Sequence, residues 1–141
     1  MTRFAVDAPT ALRLLEAGLG APPEHQLVGT ASLRSEVSRL LFARSLSGRL
    51  TPGQARELLD ALASLKLRLL GDRVSRATSW SLADQLGWHD PTDAEILAVA
   101  RLQADTLVTG SARLLQAAAE LGQAVTDPEE LLGLLAVPTI A

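Results

Sequence analysis

Short apolar runs of strand length alternate along this chain with longer stretches that carry apolar residues at helical spacing. That alternation constrains the fold more than any other feature. Strands separated by helices pair in parallel and bury both faces of their sheet under helical layers. Phe4-Ala5-Val6 reads as a first strand, followed by a helix over about residues 9–17. Leu27-Val28 begins or forms a second strand, and a helix over 31–46 carries Leu33, Val37, Leu40 and Leu41 on one face. A helix covers about 52–64, a strand lies near 66–70, and another helix follows over about 72–86. A helix over about 91–103, the strand "DTLVT", a helix over 112–121, the strand "QAVT" and a helix over 128–135 complete the series. The expectation is one α/β domain over residues 1–141, three layers deep (α/β/α), with a central parallel sheet of about five strands. Ligands in such folds sit outside the carboxyl ends of the strands, where the strand order reverses.

A chain of 141 residues buries enough surface to need no covalent staple. It has no cysteine, which excludes disulfides and thiolate metal sites. The net charge of −3 argues against coating nucleic acid by bulk charge but leaves room for a local basic rim. Lys66 is the only lysine and every other basic residue is arginine. Coding bias explains that skew, and so does phosphate binding, which suits the arginine fork. The first residues turn acidic too soon for a signal peptide, and no apolar run is long enough to cross a membrane. The expected location is the cytoplasm.

Three acids stand where an open sheet would place chemistry. Asp7 follows the first strand and precedes a helix, so it reads either as a helix N-cap or as a ligand. Glu36 lies at the edge of an apolar stripe, three residues after Leu33, and needs a partner such as Arg34 or Arg39, or a cation. Asp93 follows Asp90-Pro91-Thr92, a capping arrangement that the chain repeats at Thr51-Pro52-Gly53-Gln54 and Asp127-Pro128-Glu129-Glu130. Asp93 also shares an inward face with Leu97, Ala100 and Ala104 on a helix of that length. Carboxylates that converge repel one another unless a divalent cation joins them, and an oxygen-only set suits Mg²⁺ or Mn²⁺. Such an ion can orient a water and neutralise a phosphodiester.

The corner "LVTGSARL", Leu107 to Leu114, is a strand, a turn and a helix start with a serine where an acid could stand. Other residues read more simply. His25 and His89 are surface or packing histidines, and Trp80 and Trp88 are core or edge aromatics. Thr109 is a strand-end threonine that could hydrogen-bond within the site, and Arg73 and Arg113 are solvated arginines that could meet phosphate. The helices at 31–46 and 52–64 carry Leu40, Leu41, Phe42, Leu46, Leu58, Leu59 and Leu62, most of them expected in the core.

In order along the chain, "FAVDAPTALRLL", "SLRSEVSRLL", "LADQLGWHDPTDAEILAVARLQADTLVTGSARL" and the closing strand and helix resemble the PIN-domain family, in particular the VapC-type toxin ribonucleases. The resemblance implies a metal-dependent endoribonuclease acting on RNA phosphodiester bonds with Mg²⁺ or Mn²⁺. It also implies a homodimer restrained by a VapB-type antitoxin. It assigns catalytic roles to Asp7, Glu36 and Asp93, with Asp7 and Asp93 on the metal. The family's further aspartate, two residues past the threonine of "LVT", falls on Ser111, so the acidic site is partly degenerate. One alternative is a PIN-like module that binds RNA or protein without cutting. A receiver- or flavodoxin-like regulatory domain ranks last, because Lys66 does not follow a late strand.

Overall fold

A computed structural model gives the fold and describes residues 1–136; residues 137–141 of the expected domain lie outside the described residues. The strands are β1 (Thr2–Val6), β2 (His25–Thr30), β3 (Arg68–Leu70), β4 (Thr106–Val108) and β5 (Val125–Thr126). They form one sheet in the order β3-β2-β1-β4-β5, with every neighbouring pair parallel. Among the described residues there are seven α-helices. These are α1 (Ala8–Glu16), α2 (Leu33–Leu46), α3 (Pro52–Ser64), α4 (Arg73–Leu86), α5 (Glu95–Gln103), α6 (Ala112–Leu121) and α7 (Pro128–Ala136). The strand order reverses between β1 and β4, which are hydrogen-bonded neighbours. Asp7 and Thr109 follow those two strands directly.

The alternation of side chains along the strands builds two cores. Phe4, Val6, Leu27 and Val108 join a cluster with Leu12 and Leu14 of α1, Leu33, Val37 and Leu41 of α2, Leu62 of α3, and Leu131 and Leu135 of α7. Their neighbours Ala5, Val28 and Leu107 join the opposite cluster with Leu82 of α4, Leu97, Ala98, Val99 and Ala100 of α5, and Ala117 and Ala118 of α6. The expected three-layer α/β/α architecture is therefore present, and it is consistent with a PIN-like domain. Four consecutive buried residues in α5 mark it as a helix surrounded by protein rather than amphipathic.

Local chemistry starts and stops these helices. Asp7, Thr51, Asp72 and Ser111 accept N-cap hydrogen bonds at α1, α3, α4 and α6. Thr51 and Gln54 complete a reciprocal capping box. Gly87 ends α4 with φ +71°, the left-handed conformation that needs no Cβ penalty in glycine. A Cβ built on Gly29 would fall 2.5 Å from Leu33 Cδ2, so glycine allows α2 to fold back closely on β2.

Several expectations change. The helix expected over 91–103 is two pieces, a 3-10 turn at Pro91–Ala94 and then α5. Trp80 is 71% exposed on α4 and is neither core nor edge packing. Of the apolar residues assigned to α2 and α3, Leu41 and Leu62 are buried, whereas Phe42, Leu46 and Leu59 face solvent. α2 and α3 pack on each other and on α1, which leaves one face of each helix uncovered. No helix among the described residues is long and apolar enough to cross a membrane.

Candidate active site

Asp7 is half-buried at the end of β1, and both of its carboxylate oxygens are engaged. Oδ1 accepts from the Thr10 amide at 3.1 Å and from the Thr10 hydroxyl at 2.5 Å. Oδ2 accepts from the Thr109 hydroxyl at 2.5 Å, across the β1–β4 reversal. Thr109 Oγ1 in turn accepts from the Ser111 amide at 3.0 Å. Thr10 and Thr109 are buried, so these bonds form where water competes poorly. The cap and ligand readings of Asp7 are therefore compatible: one oxygen starts α1, and the other is held by the neighbouring strand's end.

Asp7 faces a cavity of about 310 Å³ whose wall also holds Glu36, Arg39, Asp93, Glu95 and Ser111. The structure thus brings Asp7, Glu36 and Asp93 to one cavity. It reaches them from three directions: the sheet, the α2 layer and the segment leading into α5. Glu36 pairs with neither Arg34 nor Arg39. Its Oε1 accepts from Ser32 Oγ at 3.3 Å, while Arg34 donates to the Leu62 and Leu65 carbonyls at the end of α3. The Arg39 side chain sits on the cavity wall without a hydrogen bond or ion pair to any described residue.

Asp93 is in a different setting. Asp90, not Asp93, caps the 3-10 turn, accepting from Thr92 N at 2.9 Å and Thr92 Oγ1 at 2.7 Å. Those two bonds hold the Asp90 carboxyl below its ordinary range, so it is committed to the turn rather than free to enter the cavity. Asp93 instead accepts from Arg113 Nη1 at 3.0 Å, both side chains being about half exposed (45% and 54%). The Arg113 guanidinium carbon lies 3.9 Å from the centroid of the Trp88 ring, a cation–π stack. Ser111 Oγ accepts from Leu114 N at 3.3 Å, which spends an oxygen lone pair on capping α6.

Glu95 also lines the cavity, and the sequence pattern does not mark it. Burial pushes its carboxyl above the usual range, and repulsion from Glu36 and then Asp90 adds to the shift, against a smaller opposing pull from Arg76. Glu95 precedes four consecutive buried residues in a helix surrounded by protein, so no single apolar stripe marks which polar residue of α5 reaches the cavity. His25 packs edge-on against Phe4, with ring centroids 5.4 Å apart, and takes no part in the cavity.

The carboxylates on the wall are hard oxygen donors, which a cation such as Mg²⁺ or Mn²⁺ takes. Among the described residues, no three His, Cys, Asp or Glu side chains come together as one ion's ligands. The residues present therefore fit an ion held by one or two carboxylates and its own waters, and not a cage of protein ligands.

A parallel sheet between two helical layers, with an acidic cavity at its strand-order reversal, defines the class of structure. No protein-family model and no curated protein matches the chain. Among solved structures, it is similar to PAE2754 from Pyrobaculum aerophilum at 25% identity, with 96% of each chain covered and a TM-score of 0.70. It is also similar in fold to VapBC-1 from nontypeable Haemophilus influenzae, at 16% identity over 90% of this chain and 98% of that one, with a TM-score of 0.59.

Proposed function

We propose that this chain is an endoribonuclease of the VapC type, hydrolysing RNA phosphodiester bonds with one Mg²⁺ or Mn²⁺ ion. The observation that carries the reading is Asp7, fixed on both oxygens at the β1–β4 reversal and facing Glu36, Asp93 and Glu95 across one cavity. Asp7 and Asp93 would hold the ion. A bound cation supplies Lewis acidity and offsets the charge that builds on the phosphodiester. Thr10 and Thr109 keep the Asp7 carboxylate in one orientation before substrate arrives. Glu36, steadied by Ser32, orients the attacking water and takes its proton. The exposed Phe42 and Leu59 border a groove of about 440 Å³ between α2 and α3, where an amphipathic segment of a VapB-type antitoxin or a second copy of the chain would bury them.

Cleavage of single-stranded RNA with Mn²⁺, followed on denaturing gels, tests the reading. Asp7→Asn keeps the shape and the cap but removes the charge, and it should lower the rate about 100-fold or more. Equal cleavage by wild type and Asp7→Asn would sink the assignment. A second reading, a PIN-like module that binds RNA or protein without cutting, is favoured by the Ser111 cap and the Arg113–Asp93 pair, which leave the cavity short of free carboxylates. RNA retained by wild type without any metal-dependent cleavage would establish it.

A further inference from the structure

Arg113 has two partners of different kinds. Its Nη1 donates to Asp93 Oδ2 at 3.0 Å, and its guanidinium carbon lies over Trp88, 3.9 Å from the ring centroid. Trp88 is half-buried and packs against the core that contains Leu97 and Leu107, so it is a fixed platform. The ion pair is about half exposed at both ends, and pairs in that setting break at little cost. One contact is therefore anchored and the other exchangeable. We propose that Arg113 is an exchangeable counter-ion: it neutralises Asp93 while no other cation does, and when Asp93 is satisfied it stays on Trp88 and takes up an RNA phosphate.

The chemistry follows from charge. A cation approaching Asp93 must displace a guanidinium already there, so Arg113 weakens cation binding. Once released, the guanidinium carries a planar fork of donors that matches phosphate oxygens. It is carried on α6, two residues past Ser111, which lines the cavity. The same displacement thus reduces the negative charge of the cavity and frees a positive group beside it, which couples cation binding to RNA binding. Arg39 provides the contrast: it is on the cavity wall and pairs with no described acid, so its removal changes charge without breaking an ion pair.

This inference rests on the nuclease reading for its substrate class, but its test needs neither metal nor cleavage. A fluorescent single-stranded oligouridylate is titrated in chelator against wild type, Asp93→Asn, Arg113→Gln and the double variant. Arg113→Gln alone should change affinity little, because the pair holds Arg113 away from RNA. Asp93→Asn should tighten binding, and adding Arg113→Gln should remove that gain. A gain that survives in the double variant, or no gain in Asp93→Asn, overturns the proposal. Calorimetry with Mn²⁺ gives the second readout: Arg113→Gln should tighten binding about two- to fivefold, the range of an exposed ion pair. Arg39→Gln should tighten it less. Equal effects at the two arginines, or none, also overturn it. Loss of the nuclease reading would instead show in the Asp7→Asn cleavage comparison, which neither titration uses.

Discussion

Asp7 and Asp93 are the same residue type on the same cavity, yet their surroundings are opposite. Asp7 stands at a strand end, half-buried, with its oxygens held by two buried threonines from different segments. Asp93 stands on a 3-10 turn, about half exposed, with one arginine as its partner. The difference teaches what each can do. A carboxylate held from both sides before anything binds is suited to a fixed position at a reacting centre. A carboxylate whose one ion-pair partner among the described residues is a half-exposed arginine is suited to exchange. On the proposed reading, the β1–β4 side would supply the fixed carboxylate and the side that leads into α5 the exchangeable one.

The comparison is most exposed at Thr109. Thr109→Val keeps the shape of the side chain and removes the hydroxyl that orients Asp7 Oδ2. It leaves a partly buried carboxylate oxygen without its donor, which should cost about 1–3 kcal/mol of stability. Partners that orient a ligand matter to the ion as well, and Mn²⁺ affinity should fall about 10- to 100-fold. Chemical denaturation and calorimetry read the two effects separately. If Thr109→Val changes neither, Asp7 is not preorganised by its neighbours and the contrast with Asp93 collapses.

Ser111→Asp sharpens the same contrast with a smaller effect. Aspartate caps a helix as well as serine, so α6 should keep its start and the protein its stability. The change adds a carboxylate beside Asp7 and raises the ligand charge of the cavity. Mn²⁺ should bind on the order of tenfold tighter. Unchanged affinity in a normally folded variant would mean that residue 111 does not face the ion, and that its serine is only a cap.

Which parts of this were legible beforehand follows from distance along the chain. The layers, and the parallel sheet of five strands, could be read because alternation of strand and helix is a local pattern with one common solution. Asp7 and the stretch leading to Glu36 could be placed after strands by the same reasoning, whereas Asp93 was marked by its helix-start context and the family resemblance; the structure lines one cavity with all three. That Thr109 could hydrogen-bond within the site was legible, but its partner was not, because Asp7 lies 102 residues away and their meeting depends on β4 pairing with β1. The Arg113–Asp93–Trp88 arrangement depends on how α6 sits beside the 3-10 turn, which no single segment encodes. Glu95 is not marked by the pattern, since α5 is covered on more than one face and no single stripe separates its inward from its outward residues. Trp80 is not placed by its aromatic character, which says nothing about which face of α4 packs on α5 and the 3-10 turn.

Glu95 offers the mildest and most specific test, because its carboxyl responds to the acids around it. Burial, then Glu36, then Asp90 raise its pKa above the reference of 4.5. A raised folded-state pKa means that the native protein binds more protons than the unfolded chain in the window above that reference. Stability from this group is therefore full below the unfolded pKa and is lost as pH rises through the folded value. Asp72 and Asp90 behave in the opposite sense: hydrogen bonds lower their pKa values below 3.8, and their contribution is lost only as pH falls through that lower range. The two groups act in separate windows, so Glu95 can be isolated. Glu95→Gln should leave Tm nearly unchanged at pH 4 and raise it relative to wild type as pH climbs from 4.5 toward 7, by at most about 2 °C given solvent screening. The pairing with Glu36 adds a condition: in a Glu36→Gln background the gain should shrink, because part of the repulsion is already gone. A gain of the same size in both backgrounds would mean that α2 and α5 do not bring these carboxylates into each other's field, and that the adaptable side of the cavity is built on Asp93 alone.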